Sequence, residues 1–341
     1  MFHVEQGGRF SPDQPHRLVP VTDRAAGRRL DVFLSLRFPG WSRSRLAGFI
    51  RSGHVVSDLR TLKPSSTLKE GEVLRVYIPG IAPIDAAPPL PPVLHEDEWM
   101  IALDKPAGLI THPVGQKWAW GLVGIVRRAR PGVRIDLAHR LDRDTSGVVV
   151  VTKHLDANRH MKQMFMERKV GKIYWAIVRG VPTWDRMTAD APLGPAIGST
   201  VNLRQGVNPE GHAAKTRFKV LHRMERLALV ACKPLTGRTH QIRAHLEHLG
   251  FPILGDKLYG QPDDIFIELL DKGITDRVRE AVAFPRHALH ARAIAFPHPR
   301  SGQILRIRAP MPADMRAVLK GAEPRWDLTP AAAPPSPESP G

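Results

Sequence analysis

The sequence predicts an α+β fold, and two features of the chain favour that class. Strand and helix candidates in the second part of the chain lack the regular alternation that a doubly wound parallel sheet requires. Two strand candidates, at 214–224 and 227–235, are joined by a very short link, which is typical of an antiparallel hairpin. A proline-rich stretch at 79–92 separates these elements from a smaller module at the front.

The front of the chain predicts a short tail followed by a compact module. Residues 1–20 are polar and contain proline and glycine, so we expect a flexible N-terminus there. Residues 21–80 have the size of a small independent domain. Residues 81–92 are rich in proline, and polyproline geometry makes them a semi-rigid linker to the rest of the chain.

The small module predicts two helices and then strands. The first helix is placed by three apolar residues that share one face: Leu30, Phe33 and Leu34. Either Ser42 or Ser44 can cap the second helix, and Gly53 can end it. The β-branched and alternating segments that follow predict strands at 54–56 and 72–79.

The large remainder, residues 93–318, predicts mixed secondary structure. The strand candidates are 99–106, 147–153, 172–180, 214–224 and 227–235. The helix candidates are 156–167 and 239–250. The final segment, 319–341, is rich in proline and alanine and poor in branched apolar residues, so we expect a disordered tail.

The charge of the chain restricts its partners. Lys and Arg number 50 against 33 Asp and Glu, and a net charge of +17 favours binding to polyanions. Nucleic acid is the first candidate and an anionic membrane surface is the second. No apolar run has the length needed to cross a bilayer, and the N-terminus lacks the layout of a signal peptide, so we expect no membrane partner.

Cofactor and metal motifs are missing from the sequence. It contains no phosphate-binding loop, no dinucleotide-binding glycine motif and no H-E-x-x-H, so we expect neither a cofactor nor a metal. His245 and His248 lie one helical turn apart, but such histidines are more often packing or surface residues. Cys232 is the only cysteine, which excludes an intrachain disulfide and fits a reducing, cytoplasmic location.

The stretch LAHRLDRDTSGVVVVTK, at 137–153, sets acids among cations just before four valines. The valines predict a strand buried on both faces. In an extended segment Asp142 and Asp144 point to one side, and Arg140 on that side would keep Asp142 ionised. These residues alone leave two interpretations open, surface ion pairs or a catalytic carboxylate at the end of a strand, and composition favours the ion pairs.

Three arginines lie on the second predicted helix: Arg43, Arg45 and Arg51. The usual explanation of such residues is a solvated helix face. On a short helix in a chain of charge +17, a surface that contacts phosphates is a competitive alternative.

Longer segments of the chain resemble a known family. HRLDRDTSGVVVV (139–151) is similar to the signature H-R-L-D-x-x-T-S-G-L of the RluA-type pseudouridine synthases. Other segments match that family in order: 104–113, 172–180, 234–260 and 288–299. Residues 28–79 resemble the S4 RNA-binding domain, with SDLR (57–60) where that family usually has a Val-Asn-Gly turn.

The resemblance implies both a fold and an activity. The fold is a catalytic domain with a mixed, largely antiparallel central sheet and flanking helices, preceded by the S4-like α/β module. The activity is isomerisation of uridine to pseudouridine within RNA. The N1–C1′ bond breaks, the uracil rotates and C5 bonds to C1′, without a cofactor.

The resemblance also implies site residues. Asp142 matches the catalytic aspartate, and Asp144 falls at a variable position, where we expect a structural role. Arg140 matches the arginine that holds the flipped-out nucleotide. Tyr174 matches a tyrosine that stacks on the uracil and assists proton removal from C5. Arg238 matches the arginine that pairs with the catalytic aspartate.

Several functions compete for this sequence. The preferred one is a monomeric synthase that modifies 23S, large-subunit ribosomal RNA, and the same chemistry on transfer RNA is an alternative. A catalytically silent S4-type RNA-binding or ribosome-assembly factor would use the same charge, but binding alone does not need the site residues. A glycoside-cleaving enzyme would need Asp142 and Asp144 to face each other across a sugar. Asp142 could act as nucleophile at C1′ or as base at C2′.

Overall fold

A computed structural model describes residues 17–23, 25–38, 42–57, 59–77, 88–111 and 121–324. The chain divides into two compact units, Met1–Pro89 with His112–Ile125, and Leu90–Thr111 with Val126–Gly341. The division after Pro89 falls inside the predicted linker, and the domain limits themselves stay predictions. Most of the predicted N-terminus, linker and tail lies outside the described residues.

The described residues from 17 to 77 of the first unit form a three-stranded antiparallel sheet in the order β1-β3-β2 and two helices. These elements are β1 (Arg17–Pro20), α1 (Leu30–Arg37), α2 (Arg43–Arg51), β2 (Val55–Ser57) and β3 (Val73–Val76). Both predicted helices are present, and their apolar faces meet the sheet in one core that includes Leu34, Leu46 and Leu74. Ser42, not Ser44, caps α2, because its hydroxyl accepts the N–H of Arg45 at 3.3 Å.

Residues 17–20 differ from expectation, because they form a strand at the end of the predicted flexible N-terminus. Val19 is buried in the core of the first unit. The backbone of β1 pairs with β3 along its whole length, from Arg17 opposite Val76 to Pro20 opposite Val73. One buried valine and a ladder of backbone hydrogen bonds therefore order a segment whose polar composition suggested a tail.

The remaining elements follow β3 in the chain. In order they are β4 (Val93–Glu96), β5 (Met100–Lys105), α3 (Leu122–Ala129), β6 (Asp136–Leu137), β7 (Ser146–Thr152), α4 (Leu155–Met166), β8 (Gly171–Arg179), β9 (Arg186–Asp190), β10 (Leu193–Pro195), β11 (Gln205–Val207), β12 (Lys215–Arg223), β13 (Leu227–Pro234), α5 (Gln241–His248), α6 (Asp263–Lys272), α7 (Asp276–Val282), β14 (Leu289–Pro297), β15 (Ile304–Arg308) and α8 (Ala313–Leu319).

Ten of these strands form one large sheet. Its main path is β4-β5-β7-β14-β8-β13-β12-β9, with β15 paired to β14 and β6 paired to β7. Only the β7–β14 pair is parallel among the described strands, so the α+β class with a mixed, largely antiparallel sheet is confirmed. The predicted hairpin is confirmed as well, because β12 and β13 pair antiparallel from Thr216 opposite Pro234 onwards.

The valine strand β7 lies inside the large sheet, between β5 and β14. Every one of its residues is buried, which confirms the prediction of a strand covered on both faces. Val148 and Val150 pack in one cluster with Met161 and Met164 of α4. The start of β7 is therefore a rigid point of the fold.

Helix α5 is almost completely enclosed. Residues from Gln241 to Leu246 are all buried, and Ile242 and Leu246 pack in the same cluster as Val178 of β8 and Val230 of β13. A charged residue in this helix, such as Arg243, is consequently carried into the interior and needs a partner there.

Gly147 offers a test of how tightly the start of β7 is built. It has φ +107°, and an added Cβ would collide with the backbone of Ala291 in β14. We expect Gly147→Ala to lower the free energy of unfolding by about 3 kcal/mol or more, because backbone strain and overpacking add. Gly132, at φ +76° with open space around it, is the matched control. Gly132→Ala should lose only about 1–2 kcal/mol in urea unfolding, and equal losses would contradict this view of β7.

Candidate active site

The loop between β6 and β7 is fixed by hydrogen bonds to the turn after β5. The carbonyl of Arg143 accepts the N–H of Gly108 and the Nζ of Lys105, each at 2.9 Å. Lys105 is fully buried and also donates to the carbonyls of Pro106 and Leu109. These contacts give the turn a scaffold role beside Asp142.

The sequence suggested that Asp142 and Asp144 share one side of an extended segment, and the structure shows that they do not. The N–H of Thr145 donates to the carbonyl of Asp142 at 3.2 Å, so the chain turns between the two carboxylates. Asp144 contacts Lys257 at 3.3 Å and Arg143 at 3.0 Å. Burial opposes ionisation of Asp144, but these cations and His287 hold its pKa at about 2, as suits a structural ion pair.

Asp142 is the first member of a chain of three charged groups. Nη1 of Arg243 donates to Asp142 Oδ2 at 3.1 Å. On its other side, Arg243 donates from Nε and Nη2 to the two oxygens of Asp256 at 2.6 and 2.8 Å. The guanidinium therefore uses its bidentate geometry on the buried acid and keeps one N–H for the acid at the cavity.

The burial of Arg243 determines the electrostatics of the Asp142–Arg243–Asp256 group. Its side chain is only 8% exposed, whereas that of Asp142 is 37% exposed. Burial alone would raise the pKa of Asp142, but the positive charge of the adjacent Arg243 lowers it below its ordinary value. Asp142 is consequently an ionised, oriented carboxylate, which suits a nucleophile or a base and not a general acid.

Asp256 and Tyr259 contact Arg243 on the side away from Asp142 and fix its position. Asp256 is buried and also accepts the backbone N–H groups of Leu258 and Tyr259, at 3.0 and 3.1 Å. The guanidinium lies 4.8 Å from the centre of the Tyr259 ring, within cation–π range. A buried pair with these additional hydrogen bonds compensates the cost of desolvating two charges.

The structure corrects the expectation that Arg238 pairs with Asp142. Nε of Arg238 donates to the carbonyl of Ala213 at 3.2 Å, and its backbone N–H donates to Gln241. Arg238 precedes α5 and lines the cavity, whereas Arg243 lies inside the helix and contacts Asp142. Arg140 likewise is exposed at the cavity, and Arg243 supplies the ion pair to Asp142 that the sequence suggested for Arg140.

Tyr174 comes from the centre of β8, where it lies opposite Cys232 of β13 and Ala291 of β14. It is half-buried and lines the same cavity as Asp142. Burial and then the charge of Asp142 raise the pKa of its phenol, so the group is neutral near pH 7. A neutral phenol offers an aromatic face for stacking and is a weak base.

The cavity over these groups has a volume of about 860 Å³. Among the described residues that line it, Asp142 is the only acid, and the cations are Arg140, Arg168, Lys169, Lys172, Lys233, Arg238 and Arg243. A cleft lined by one sign of charge concentrates ligands of the opposite sign. The cavity therefore suits a polyanion, and Asp142 is the one carboxylate among the described residues that line it.

The three arginines of α2 do not form a single surface. At about 100° per residue, Arg43 and Arg51 lie about 80° apart, and Arg45 lies on the far side of the helix. Arg43 donates to Asp31 at 2.9 and 3.0 Å, which anchors α2 to α1. Arg45 and Arg51 are exposed. The phosphate-contacting role of these residues stays a prediction.

The described residues contain neither a metal-binding cluster nor a membrane-spanning helix. Within the described ranges, no group of three or more His, Cys, Asp or Glu side chains could hold a metal ion. His245 instead bonds to Thr216 and to the carbonyl of Ala191, as a packed histidine does. No helix in the part of the chain that the structure describes is long and apolar enough to cross a membrane.

Sequence patterns did not identify four residues of the site: Arg243, Asp256, His240 and Tyr259. All four lie inside the segment 234–260 that resembles the synthase family, so the resemblance located the segment without assigning these residues a role. Arg238 and Arg243 are five positions apart, and only the enclosure of α5 decides which one reaches Asp142. A charged residue within the apolar face of a helix was the available signal.

The fold and the basic cavity with its oriented carboxylate define an enzyme that acts on a polyanion. The chain matches the family model described as "RNA pseudouridylate synthase" over residues 99–248 and the S4 domain over residues 28–74. It belongs to the RNA pseudouridylate synthase family and is an RNA pseudouridine synthase with an S4 domain at its front.

Three relatives illustrate the similarity. "Ribosomal large subunit pseudouridine synthase D" of Xanthomonas campestris is 38% identical over 90% of this chain and 92% of its own. "Ribosomal large subunit pseudouridine synthase C" of Escherichia coli is 34% identical over 89% of this chain and 96% of its own. The structure titled "Human RNA Pseudouridylate Synthase Domain Containing 4" aligns with a TM-score of 0.54 at 28% identity, over 67% of this chain and 91% of that one.

Substitution of the two arginines tests which one serves Asp142. Lysine cannot hold Asp256 with two N–H groups and reach Asp142 with a third. We expect Arg243→Lys to lower kcat for pseudouridine formation about 100-fold or more, and Arg238→Lys to change it by less than about tenfold. Steady-state kinetics on an RNA substrate checks this, with circular dichroism to confirm folding. A larger loss in Arg238→Lys would contradict the assignment.

Proposed function

We propose that this enzyme isomerises uridines in large-subunit ribosomal RNA, with Asp142 as the reacting group. The target RNA is inferred from relatives whose names place them on the ribosomal large subunit. The abundance of cations around the cavity and the S4 domain support a large, structured RNA substrate. Transfer RNA, with the same chemistry, is the second candidate.

One observation carries the proposed role of Asp142. It is the sole acid that lines the cavity within the described part of the chain, and the buried Arg243 keeps it ionised and oriented. Binding of RNA alone gains nothing from an exposed carboxylate in a basic cleft, because phosphates repel it. The arrangement therefore favours catalysis over a silent binding or assembly factor.

The reaction places a separate demand on each residue. The C1′–N1 bond must break, the uracil must rotate, and C1′ must bond to C5, which then loses its proton while N1 gains one. Asp142 acts at C1′ as a nucleophile or at C2′ as a base, and its lowered pKa provides the ionised form that both roles require. Tyr174 stacks on the uracil during rotation and assists proton removal from C5. Its raised pKa keeps the phenol neutral near pH 7, so its own proton must pass to solvent or to N1 when it takes the proton from C5.

Arg140 and the S4 domain are assigned to substrate binding. Arg140 is exposed at the rim of the cavity, where a guanidinium can fill the space that a flipped-out nucleotide leaves. Within the S4 domain, Arg45 and Arg51 each contact phosphates from their own side of α2, while Arg43 contributes less because it pairs with Asp31. Action as a monomer in the cytoplasm, without a cofactor, completes the proposal.

Replacement of the carboxylate tests the proposed chemistry. Asp142→Asn keeps the size of the side chain and removes its charge. We expect it to lower pseudouridine formation about 1,000-fold or more while RNA affinity stays within about threefold. Asp144→Asn makes the same change in the same loop and should lose less than about tenfold, because Asp144 pairs with Lys257.

The readouts are tritium release from RNA labelled at uridine C5 and a map of pseudouridines in cellular RNA. Cells that lack the gene should lose defined pseudouridines in large-subunit ribosomal RNA. If sites disappear from transfer RNA instead, the substrate assignment is wrong and the chemistry stands. If no site disappears and the purified protein releases no tritium, the enzymatic role of Asp142 is wrong.

The S4 assignment is tested by salt dependence. Arg51→Glu removes a proposed phosphate contact, so the slope of log affinity against log salt should decrease by about 1. Arg226→Glu is the control, because this side chain is 89% exposed at the turn between β12 and β13 and does not line the cavity. Equal slopes in the two variants would argue against an S4 contact at Arg51.

A further inference from the structure

His240 lies next to Asp142 and has no role in the chemistry described so far. Its Nε2 is 4.0 Å from Asp142 Oδ2, and both side chains line the cavity. The residue caps α5 in the left-handed region, at φ +54°. A residue other than glycine is strained in this conformation, and residues strained in this way are concentrated at functional sites.

The orientation of the His240 ring is fixed by Tyr259. The two residues are joined through Nδ1 and the Tyr259 hydroxyl at 3.1 Å. The same hydroxyl oxygen accepts the backbone N–H of Gln205 at 3.0 Å, so its own proton is available for Nδ1. With Nδ1 as the acceptor, the neutral ring carries its proton on Nε2, which faces Asp142.

The ring is neutral in the working range of pH. Burial, and then the charge of Arg243, lowers the pKa of His240 to about 4. The result is a neutral N–H donor opposite a carboxylate acceptor, across a gap too wide for a direct hydrogen bond. An oxygen atom placed beside the line that joins Nε2 and Oδ2 can lie about 2.8 Å from each of them, within hydrogen-bond range.

The substrate supplies a hydroxyl for this gap. Asp142 reacts at C1′ or at C2′, so in either route the carboxylate lies beside the C1′–C2′ bond. The 3′ and 5′ oxygens of an internal nucleotide are esterified to phosphate, which leaves the 2′-hydroxyl as the only free ribose hydroxyl. That group both accepts and donates, and it distinguishes RNA from DNA.

We propose that the 2′-hydroxyl of the target uridine bridges His240 and Asp142, accepting from Nε2–H and donating to Oδ2. His240 thereby contacts the substrate and selects ribose at the reacting nucleotide. Tyr259 is a positioning residue that keeps the proton of His240 on the side of the cavity. This inference rests on the proposed role of Asp142.

The test couples a protein change to a substrate change. The probe is a fragment of large-subunit ribosomal RNA with either uridine or 2′-deoxyuridine at the single target position. Wild-type enzyme should prefer uridine by about 10- to 100-fold in kcat/KM, the effect of losing hydrogen bonds to a charged site. His240→Asn should reduce that preference to about threefold or less, because asparagine tolerates the left-handed backbone and does not reach the Nε2 position.

Three further variants separate the ribose contact from a structural effect. His240→Gln places an amide N–H near the Nε2 position and should restore part of the preference. Tyr259→Phe should weaken the preference, since the tautomer is no longer fixed. His248→Asn, at an exposed position on the same helix, should keep the full preference.

The outcomes distinguish this inference from the proposed function. If His240→Asn is active and its preference for uridine equals that of wild type, His240 does not contact the 2′-hydroxyl, and the role of Asp142 is unaffected. If wild type shows no preference for uridine over 2′-deoxyuridine, the bridge is likewise wrong. If Asp142→Asn keeps full activity, the proposed function fails, and the bridge fails with it.

Discussion

The site depends on one buried cation. Arg243 is enclosed by α5 and the large sheet, and two acids share its charge, Asp256 behind it and Asp142 in front. A buried guanidinium without Asp256 would be very costly, whereas the pair with its extra hydrogen bonds is tolerated. Since Asp256 takes the bidentate face, the N–H directed at Asp142 has little freedom to move. The position of the Asp142 carboxylate, the proposed reacting group, is thus set from inside the protein.

The rest of the fold supports Asp142, the acceptor in the contact between Arg243 and Asp142. Strand β7 is buried over its whole length, and the loop before it is joined to the turn after β5 through Lys105. Thr145 at the end of this loop bonds to the buried His287 at 2.7 Å. Asp142 therefore projects from a short, well-anchored loop, and a group held on rigid supports loses little entropy when the substrate arrives.

Sequence patterns predicted the elements well and the pairing of charges poorly. The valine run and the hairpin were recognised because burial and alternation are local properties of the chain. The choice between Arg238 and Arg243 depends on the enclosure of α5, which contains Arg243 and not Arg238, and that enclosure involves strands far away in sequence. The divergence of Asp142 and Asp144 depends on a turn made by one backbone hydrogen bond, which the alternation rule cannot anticipate.

A basic cavity around one acid creates a conflict that burial resolves. Exposed cations such as Arg140 attract polyanions, but phosphates bound there would neutralise them and raise the pKa of a nearby carboxylate. Arg243 is shielded from those phosphates by its burial and keeps its charge for Asp142. Neutral partners such as His240 add hydrogen-bond donors without adding charge that RNA could cancel. The carboxylate therefore stays ionised both before and after the substrate fills the cavity.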